Sequence, residues 1–381
     1  MTDADVNQPL ADLCVVSLEQ AAAAPLCTRR LALAGAEVLK IERPEGDFAR
    51  FYDTAVFGAS SYFVWLNAGK KSVVLDLKQA AERDVLVALL RHCDVLVQNL
   101  KPGALASLGI DLEQLHTERP ELISVSIAGF NPDGPGAQRK AYDLLMQAES
   151  GLAELTGSEH EAGRVGVSIV DVATGMYAYE AILEALLQRA RSGQGAKIDV
   201  ALFDAVADLL SVPYLLERYG GAAPQRVGLA HPGICPYGVF TSEDGRAFVL
   251  SIQNEREWQR LCEVGLGQPD LLHDARCSDN EQRVAHRAFV DAAVQMVFAG
   301  LSYASIESRL NQADLAFAPV NDIGRLKSHA DFHSFTVTTD GHLIDLPRVP
   351  GLPKPDALPV PRLGEHTAEI RRRVQGADTS I

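Results

Sequence analysis

The stretch LCVVSLEQAAAAPLCTRRLALAGAEVLKIE (residues 13–42) decides the fold. Leu13 to Leu18 is a short apolar run. Residues 25–35, PLCTRRLALAG, carry a proline near their start, helix formers inside and a closing glycine. Residues 36–42, AEVLKIE, turn apolar again. The natural parse is strand, helix, strand. The same alternation returns in KSVVLDL (71–77), AAERDVLVALLRHC (80–93) and DVLVQNL (94–100), and LISVSIAGF (122–130) adds another strand. Apolar strands separated by helices predict a parallel sheet covered on both faces, that is, a doubly wound α/β domain.

In such an open sheet, ligands lie in the crevice beyond the carboxyl ends of the strands. The loops to inspect are therefore EQAAAAP, ERPEGDFAR, KPGAL and NPDGPGAQRK, after Leu18, Ile41, Leu100 and Phe130. None holds G-x-G-x-x-G. Gly69, Lys70, Lys71 and Ser72 resemble the tail of a phosphate-binding loop, but Val64 stands where its first glycine is required. A dinucleotide or P-loop reading loses its support.

Further along, VDVATGMYAYEAILEALLQRAR (170–191) is a strong amphipathic helix ended by SGQG, and residues 198–221 read as a short strand running into another helix. The character then changes. Residues 228–253 carry the alternation and the Glu-Asp-Gly turn of a hairpin, with helices after it. We expect a large α/β domain over 1–225, a smaller α+β domain over 226–325, and a proline-rich tail, 326–381, returning to the large domain.

The 381 residues suffice for two domains and a deep site. With 47% hydrophobic and 22% charged residues, the chain is neither disordered nor collagen-like. Fifty acids against 35 bases give a net charge of −15, which repels nucleic acid. Six scattered cysteines without C-x-x-C spacing point to reduced thiols, with no zinc site and no disulfide framework. The N-terminus has no basic and apolar leader, and no stretch reaches the roughly 18 apolar residues of a membrane span. A cytoplasmic protein without membrane or nucleic-acid partners is expected.

Several residues could carry chemistry. Asp171 in SIVDVATGMYA stands at the junction of a β-like run and a long helix, and Gly175 one turn on allows close backbone approach. Such an acid is ordinarily a helix cap; the alternative is a carboxylate nucleophile able to form a mixed anhydride with an acyl thioester. Tyr142 and Asp143 open another helix, where Asp143 reads as a first-turn acid. Arg43, Arg50, Lys70, Lys71, Lys78, Lys101, Arg139 and Lys140 fall in or near the crevice loops; each is either a solvated residue or part of a set that neutralises a phosphorylated ligand. His231 in GLAHPGICPYG either binds a substrate carboxylate or pins a loop.

Taken together, LALAGAEVLKIERPEGDFAR (31–50), NAGKKSVVLDLK (67–78), DVLVQNLKPGAL (94–105), AYDLLMQAESGLAELTG (141–157), SIVDVATGMYA (168–178), APVND (318–322) and LGEHT (363–367) resemble the class III CoA-transferases, nearly end to end. This family includes formyl-CoA transferase, carnitine CoA-transferase and the related α-methylacyl-CoA racemases. The resemblance implies a nucleophilic aspartate at Asp171. It implies CoA contacts at Ala21, Ala22, Arg43, Leu75, Lys78, Asn99, Leu100 and Lys140. It also implies an interlocked homodimer of ring-like chains, CoA and acyl-CoA as substrates, and neither a metal nor a tightly bound cofactor.

Two departures refine the expectation. Racemases of this superfamily place a histidine before the aspartate of a G-H-D motif; here Tyr142 stands there. With an ordinary pKa near ~10, tyrosine is a poor proton acceptor at neutral pH, so group transfer is favoured over racemisation. The glycine run of formyl-CoA transferase is replaced by HPGICPYG (231–238), similar to the H-x-x-I-x-P-Y-G of transferases acting on itaconate, mesaconate and citramalate. His231 and Tyr237 are then expected to hold the distal carboxylate of a dicarboxylic acid, with succinyl-CoA as an example of the donor. The alternative is an acyl-CoA isomerase, acting by racemisation or by moving CoA within one molecule.

Overall fold

The computed structural model describes residues 8–351 and 357–377. Six parallel strands form its main sheet: β1 (Cys14–Leu18), β2 (Glu37–Glu42), β3 (Lys71–Val74), β4 (Val95–Gln98), β5 (Ile123–Ala128) and β6 (Ala196–Ala201). Their order across the sheet is β3-β2-β1-β4-β5-β6. The central register pairs Val16 with Leu39 on one side and with Leu96 on the other. The first three strands run outward from β1 in one direction and the last three in the other, so the order reverses between β1 and β4.

The helices of this half of the chain are α1 (Ala23–Leu33), α2 (Ser61–Asn67), α3 (Ala80–Leu90), α4 (Ala104–Ser107), α5 (Leu112–Glu118), α6 (Asp143–Ser150), α7 (Leu152–Leu155), α8 (Ile169–Ser192), α9 (Leu202–Leu209) and α10 (Ser211–Gly220). Neighbouring strand residues point to opposite faces, and both faces are covered. Val15, Val38, Val95 and Val125 pack against α1 and α8, while Val16, Leu39, Leu96 and Leu75 pack against α3 and α5. This explains why the strands read as continuous apolar runs without alternation. Gly193, with φ +70, ends α8 and donates its N–H to the Arg189 carbonyl at 2.8 Å.

The chain divides into two compact units. One comprises Met1–Leu152, Val165–Ser211 and His333–Ile381; the other comprises Ala153–Arg164 and Val212–Phe332. Against the span 1–225 expected for the large domain, residues 153–164 and 212–225 group with the second unit. That unit carries an antiparallel sheet of β7 (Tyr237–Thr241), β8 (Ala247–Ser251) and β9 (Ala316–Pro319) in the order β7-β8-β9. Its core sets Phe240, Phe248 and Leu250 against Trp258, Val294 and Phe298.

The described residues from His333 on group with the first unit. A small sheet of Ser334–Thr339, His342–Pro347 and Leu358–Pro359 precedes a last helix, Thr367–Ala377. Thr367 Oγ1 accepts from the Val74 N–H at 2.9 Å, and Arg371 pairs with Glu82 at 2.8 Å. Among the described residues, no single helix is long and apolar enough to cross a membrane.

Candidate active site

Asp171 lies in the first turn of α8. The expected β-like run before it does not form: the helix starts at Ile169 behind Ser168, placing Asp171 one turn inside the position a capping residue takes. The cap comes from another helix. Asp143, the buried first residue of α6, accepts from the Val170 N–H at 2.8 Å and from the Asp171 N–H at 3.3 Å through Oδ1. Its Oδ2 takes the Gln147 side-chain amide at 2.6 Å, and Gln147 Oε1 takes the Val165 N–H at 2.9 Å. Asp143 therefore satisfies the orphan amides of α8 from outside it.

This arrangement leaves Asp171 itself without the task of capping. Burial, and then the charge of Asp143, push its carboxyl up to about 7. An aspartate held near neutrality away from bulk water is a marker of functional sites. The amides that follow a reactive side chain at a helix start could serve as oxyanion donors, but here they are engaged. The Val172 N–H, the first after Asp171, donates to the Ser168 carbonyl at 2.9 Å, and the two amides before it, of Val170 and Asp171, donate to Asp143.

Aromatic rings stand around this turn. Tyr62 shares a 2.9 Å hydrogen bond with the Ser168 hydroxyl, and Tyr52 meets Tyr62 edge-on at 5.5 Å. Burial pushes the Tyr52 phenol up to about 12, helped by the charges of Asp47 and Asp171. Tyr52 thus stands within electrostatic reach of both acids.

Where the strand order reverses, a cavity of about 900 Å³ opens along the ends of β1 to β4. Of the residues that the resemblance assigns to CoA, Arg43, Leu75, Lys78 and Leu100 line it. Asn99 and Ala21 stand behind the lining: Asn99 bonds Gln20, and the Ala21 N–H bonds Asp47, both of which are lining residues. Ala22 is buried and packs with Leu26, Leu66 and Val172 of α8. Lys140 is exposed and lies outside the lining.

Several bases proposed as a phosphate-neutralising set are committed elsewhere. Lys70 is fully buried and bonds Glu19 at 2.7 Å. Lys71 joins Glu37 and Glu369 at 3.0 and 2.7 Å. Arg50 forks onto Glu42 at 2.8 and 2.7 Å, and Arg139 pairs with Glu149 at 2.7 Å. Arg43, Lys78 and Lys101 are the bases of that set on the cavity wall. The buried ionic set of Glu19, Lys40, Asp47 and Lys70 escaped sequence reasoning. The signal was Lys40 in the middle of an otherwise apolar strand, VLKIE.

Tyr142, preceding α6, is exposed. His231 and Tyr237 belong to the second unit, where their rings stack at 5.4 Å. The His231 N–H donates to the Tyr237 carbonyl at 3.0 Å, and Nδ1 accepts from the Gly233 N–H at 3.1 Å. The neutral ring therefore carries its proton on Nε2. Arg287 braces the loop through the carbonyls of His231 and Ile234 at 2.7 and 2.9 Å.

A parallel sheet that reverses order, with an open crevice at the reversal, defines a doubly wound α/β fold, a class whose ligands lie along the strand ends; Asp171 is not among the residues lining that crevice. Residues 10–367 match CoA-transferase family III, and the chain belongs to that family. It is 31% identical to the succinate–glutarate CoA-transferase of Agrobacterium fabrum, over 97% of this chain and 97% of the relative. It is 30% identical to the succinyl-CoA:mesaconate CoA-transferase of Haloarcula hispanica, over 95% of each. The crystal structure of a CAIB/BAIF family protein from Brucella suis superposes with a TM-score of 0.83 at 32% identity, covering 97% of this chain and all of that one.

Proposed function

We propose that this protein moves CoA from an acyl-CoA donor such as succinyl-CoA to a small dicarboxylic acid of the mesaconate, citramalate or itaconate type. Asp171 is the acyl carrier, and the reaction takes place in the cytoplasm. The observation that carries the reading is Asp171 itself, partly buried, relieved of capping by Asp143 and pushed up to about 7. A carboxylate of high proton affinity is, once ionised, a better nucleophile than an ordinary aspartate.

The Asp171 carboxylate attacks the thioester carbonyl, forming an aspartyl–acyl anhydride and releasing CoA thiolate. The thiolate attacks the aspartyl carbonyl, expelling the donor acid and leaving an aspartyl-CoA thioester. The acceptor carboxylate attacks that thioester and gives a new anhydride and thiolate. The thiolate then takes the new acyl group, and Asp171 is restored. Thioester and anhydride are comparably activated, so no ATP is consumed. Arg43 and Lys78 face the CoA phosphates from the cavity wall, while Leu75 and Leu100 contact its apolar parts. Ala21, Ala22 and Asn99 shape the wall, and Lys140 reaches the ligand from outside it.

His231, with Tyr237 stacked behind it, receives the distal carboxylate through Nε2–H. Tyr142 replaces the racemase base and serves substrate binding. Names of related enzymes support a dicarboxylate acceptor: two of them act on glutarate and mesaconate by title.

The test is incubation with succinyl-CoA and a panel of C2 to C6 acids, with new CoA esters read by mass. Hydroxylamine added during turnover should convert Asp171 to the hydroxamate. Asp171→Ala should abolish transfer and retain CoA binding, whereas turnover by that variant would discard the mechanism. His231→Ala should lose dicarboxylic acceptors more than monocarboxylic ones; equal losses would remove its assigned role.

A further inference from the structure

The turn leaving β1 holds a backbone conformation that its residue does not favour. Ala21 has φ +64, in the left-handed region that side chains with a Cβ avoid. Two side chains from distant segments keep it there. Asn99 clamps Gln20 at two points: Oδ1 accepts from the Gln20 N–H at 2.9 Å, and Nδ2 donates to the Gln20 carbonyl at 2.8 Å. Asp47 Oδ1 accepts from the Ala21 N–H at 3.2 Å and from the Ala49 N–H at 3.0 Å.

Asp47 is itself fixed. Its Oδ2 accepts from Lys40 Nζ at 2.8 Å in a fully buried pair. Lys40 also reaches Glu19 at 3.4 Å, and Glu19 is held by Lys70 at 2.7 Å and by the Thr28 hydroxyl at 2.6 Å. Two acids and two bases balance in the interior. Buried ion pairs add little net stability over apolar packing of the same volume. What this set supplies is direction, because a fully satisfied polar network permits one geometry.

That direction bears on the site. The strained turn feeds straight into α1, and the start of α1 lies against the first turns of α8. Val172 packs with Ala22 and Leu26, and a Cβ on Gly175 would meet the Ala23 carbonyl oxygen at 2.6 Å. The conformation at position 21 therefore sets where the first residues of α1 stand against the first turns of α8, the helix that carries Asp171. We propose that Asp47, anchored by Lys40 and assisted by the Asn99 clamp, is a positioning residue of the transfer reaction. It holds Ala21 left-handed and thereby places the start of α1 against the helix that bears the acyl-carrying carboxyl. The inference rests on the reading of Asp171 as that carrier.

The test is Asp47→Asn, which keeps the side chain's shape but turns an amide toward Lys40. We expect kcat to fall about a hundredfold, as displacements of an ångström at a reacting centre do, while the calorimetric Kd for CoA changes far less. Adding Ala21→Gly should restore about tenfold of kcat, since glycine takes a left-handed φ without the strain that costs other residues about that factor. Amide hydrogen exchange over residues 20–28, measured without substrate, should quicken in Asp47→Asn and slow again in the double variant. Unchanged kcat and exchange in Asp47→Asn would overturn the proposal. So would a loss of activity and stability that glycine at position 21 does not relieve, which marks a general structural role. The exchange measurement uses no substrate, so failure of Asp171 to trap hydroxylamine and failure of this proposal are read separately.

Discussion

Asp171 ionises near neutrality because its surroundings disfavour charge twice, through burial and through Asp143. If the carboxylate is the nucleophile, the transfer rate rises with pH through about 7 and then levels. Asp143→Asn removes the second cause, so the midpoint moves to lower pH. Folding carries the opposite signature. A carboxyl whose folded pKa is raised contributes stability that is fully present below its ordinary value near 3.8 and is lost as the pH rises through about 7. Asp171→Asn should therefore be more stable than the wild type at pH 8, by on the order of 2–4 kcal/mol at about 1.4 kcal/mol per tenfold change in proton affinity. The gain should vanish at pH 4. Urea denaturation at the two pH values measures it, and a gain independent of pH would sever the link to ionisation. The sequence pointed to Asp171 as an acid at a helix start. It could not show the raised proton affinity, because Asp143 lies 28 residues earlier and meets α8 only through tertiary packing.

At the level of elements, the strands and most helices were legible because both faces of the sheet are buried and the apolar runs are long. The start of α8 was not. Ile169 and Val170 are β-branched and read as strand, yet the helix begins at Ile169 because a neighbouring helix supplies the cap. Lys70 shows the same limit: its position beside a strand suggested a ligand contact, while Glu19 on β1's carboxyl end claims it. Gly175 was legible as a point of close approach, and its neighbours give the reason. A Cβ there would meet the Ala23 carbonyl oxygen at 2.6 Å and Leu26 Cβ at 2.8 Å. Backbone cannot yield as a flexible side chain can, so Gly175→Ala must push α8 away from α1. We expect a loss of about 1–3 kcal/mol, typical of overpacking, together with reduced transfer because Asp171 rides on the displaced helix. Thermal unfolding and initial rates check both effects, and a variant unchanged in each would mean that α8 does not need this contact.

At the scale of the whole molecule, two units were expected from the change of character near residue 226, and so was the return of the tail to the first of them, but the grouping of residues 153–164 with the second was not. Residues 153–164 leave the first unit and join the second, where Arg226 donates to the Ser158 carbonyl at 3.1 Å. Pairings of segments some 70 residues apart leave no periodic mark in either segment. The run SVPYLLERYG at the join of the units has a further consequence. In α10, Val212, Leu215, Leu216 and Tyr219 recur at the spacing of one helix face and are 66, 51, 47 and 77% exposed. A continuous apolar stripe of this kind on a protein of net charge −15 is a surface made to be covered. We propose that a second copy of the chain, the partner that the family resemblance implies, covers the stripe. Light scattering coupled to gel filtration should therefore return twice the chain mass at micromolar concentration. Replacing Leu215 and Tyr219 together with glutamate should shift that mass toward a single chain, since each added charge would have to be desolvated in the interface. A wild-type protein that elutes with the mass of one chain would leave the stripe unexplained and exclude the dimer.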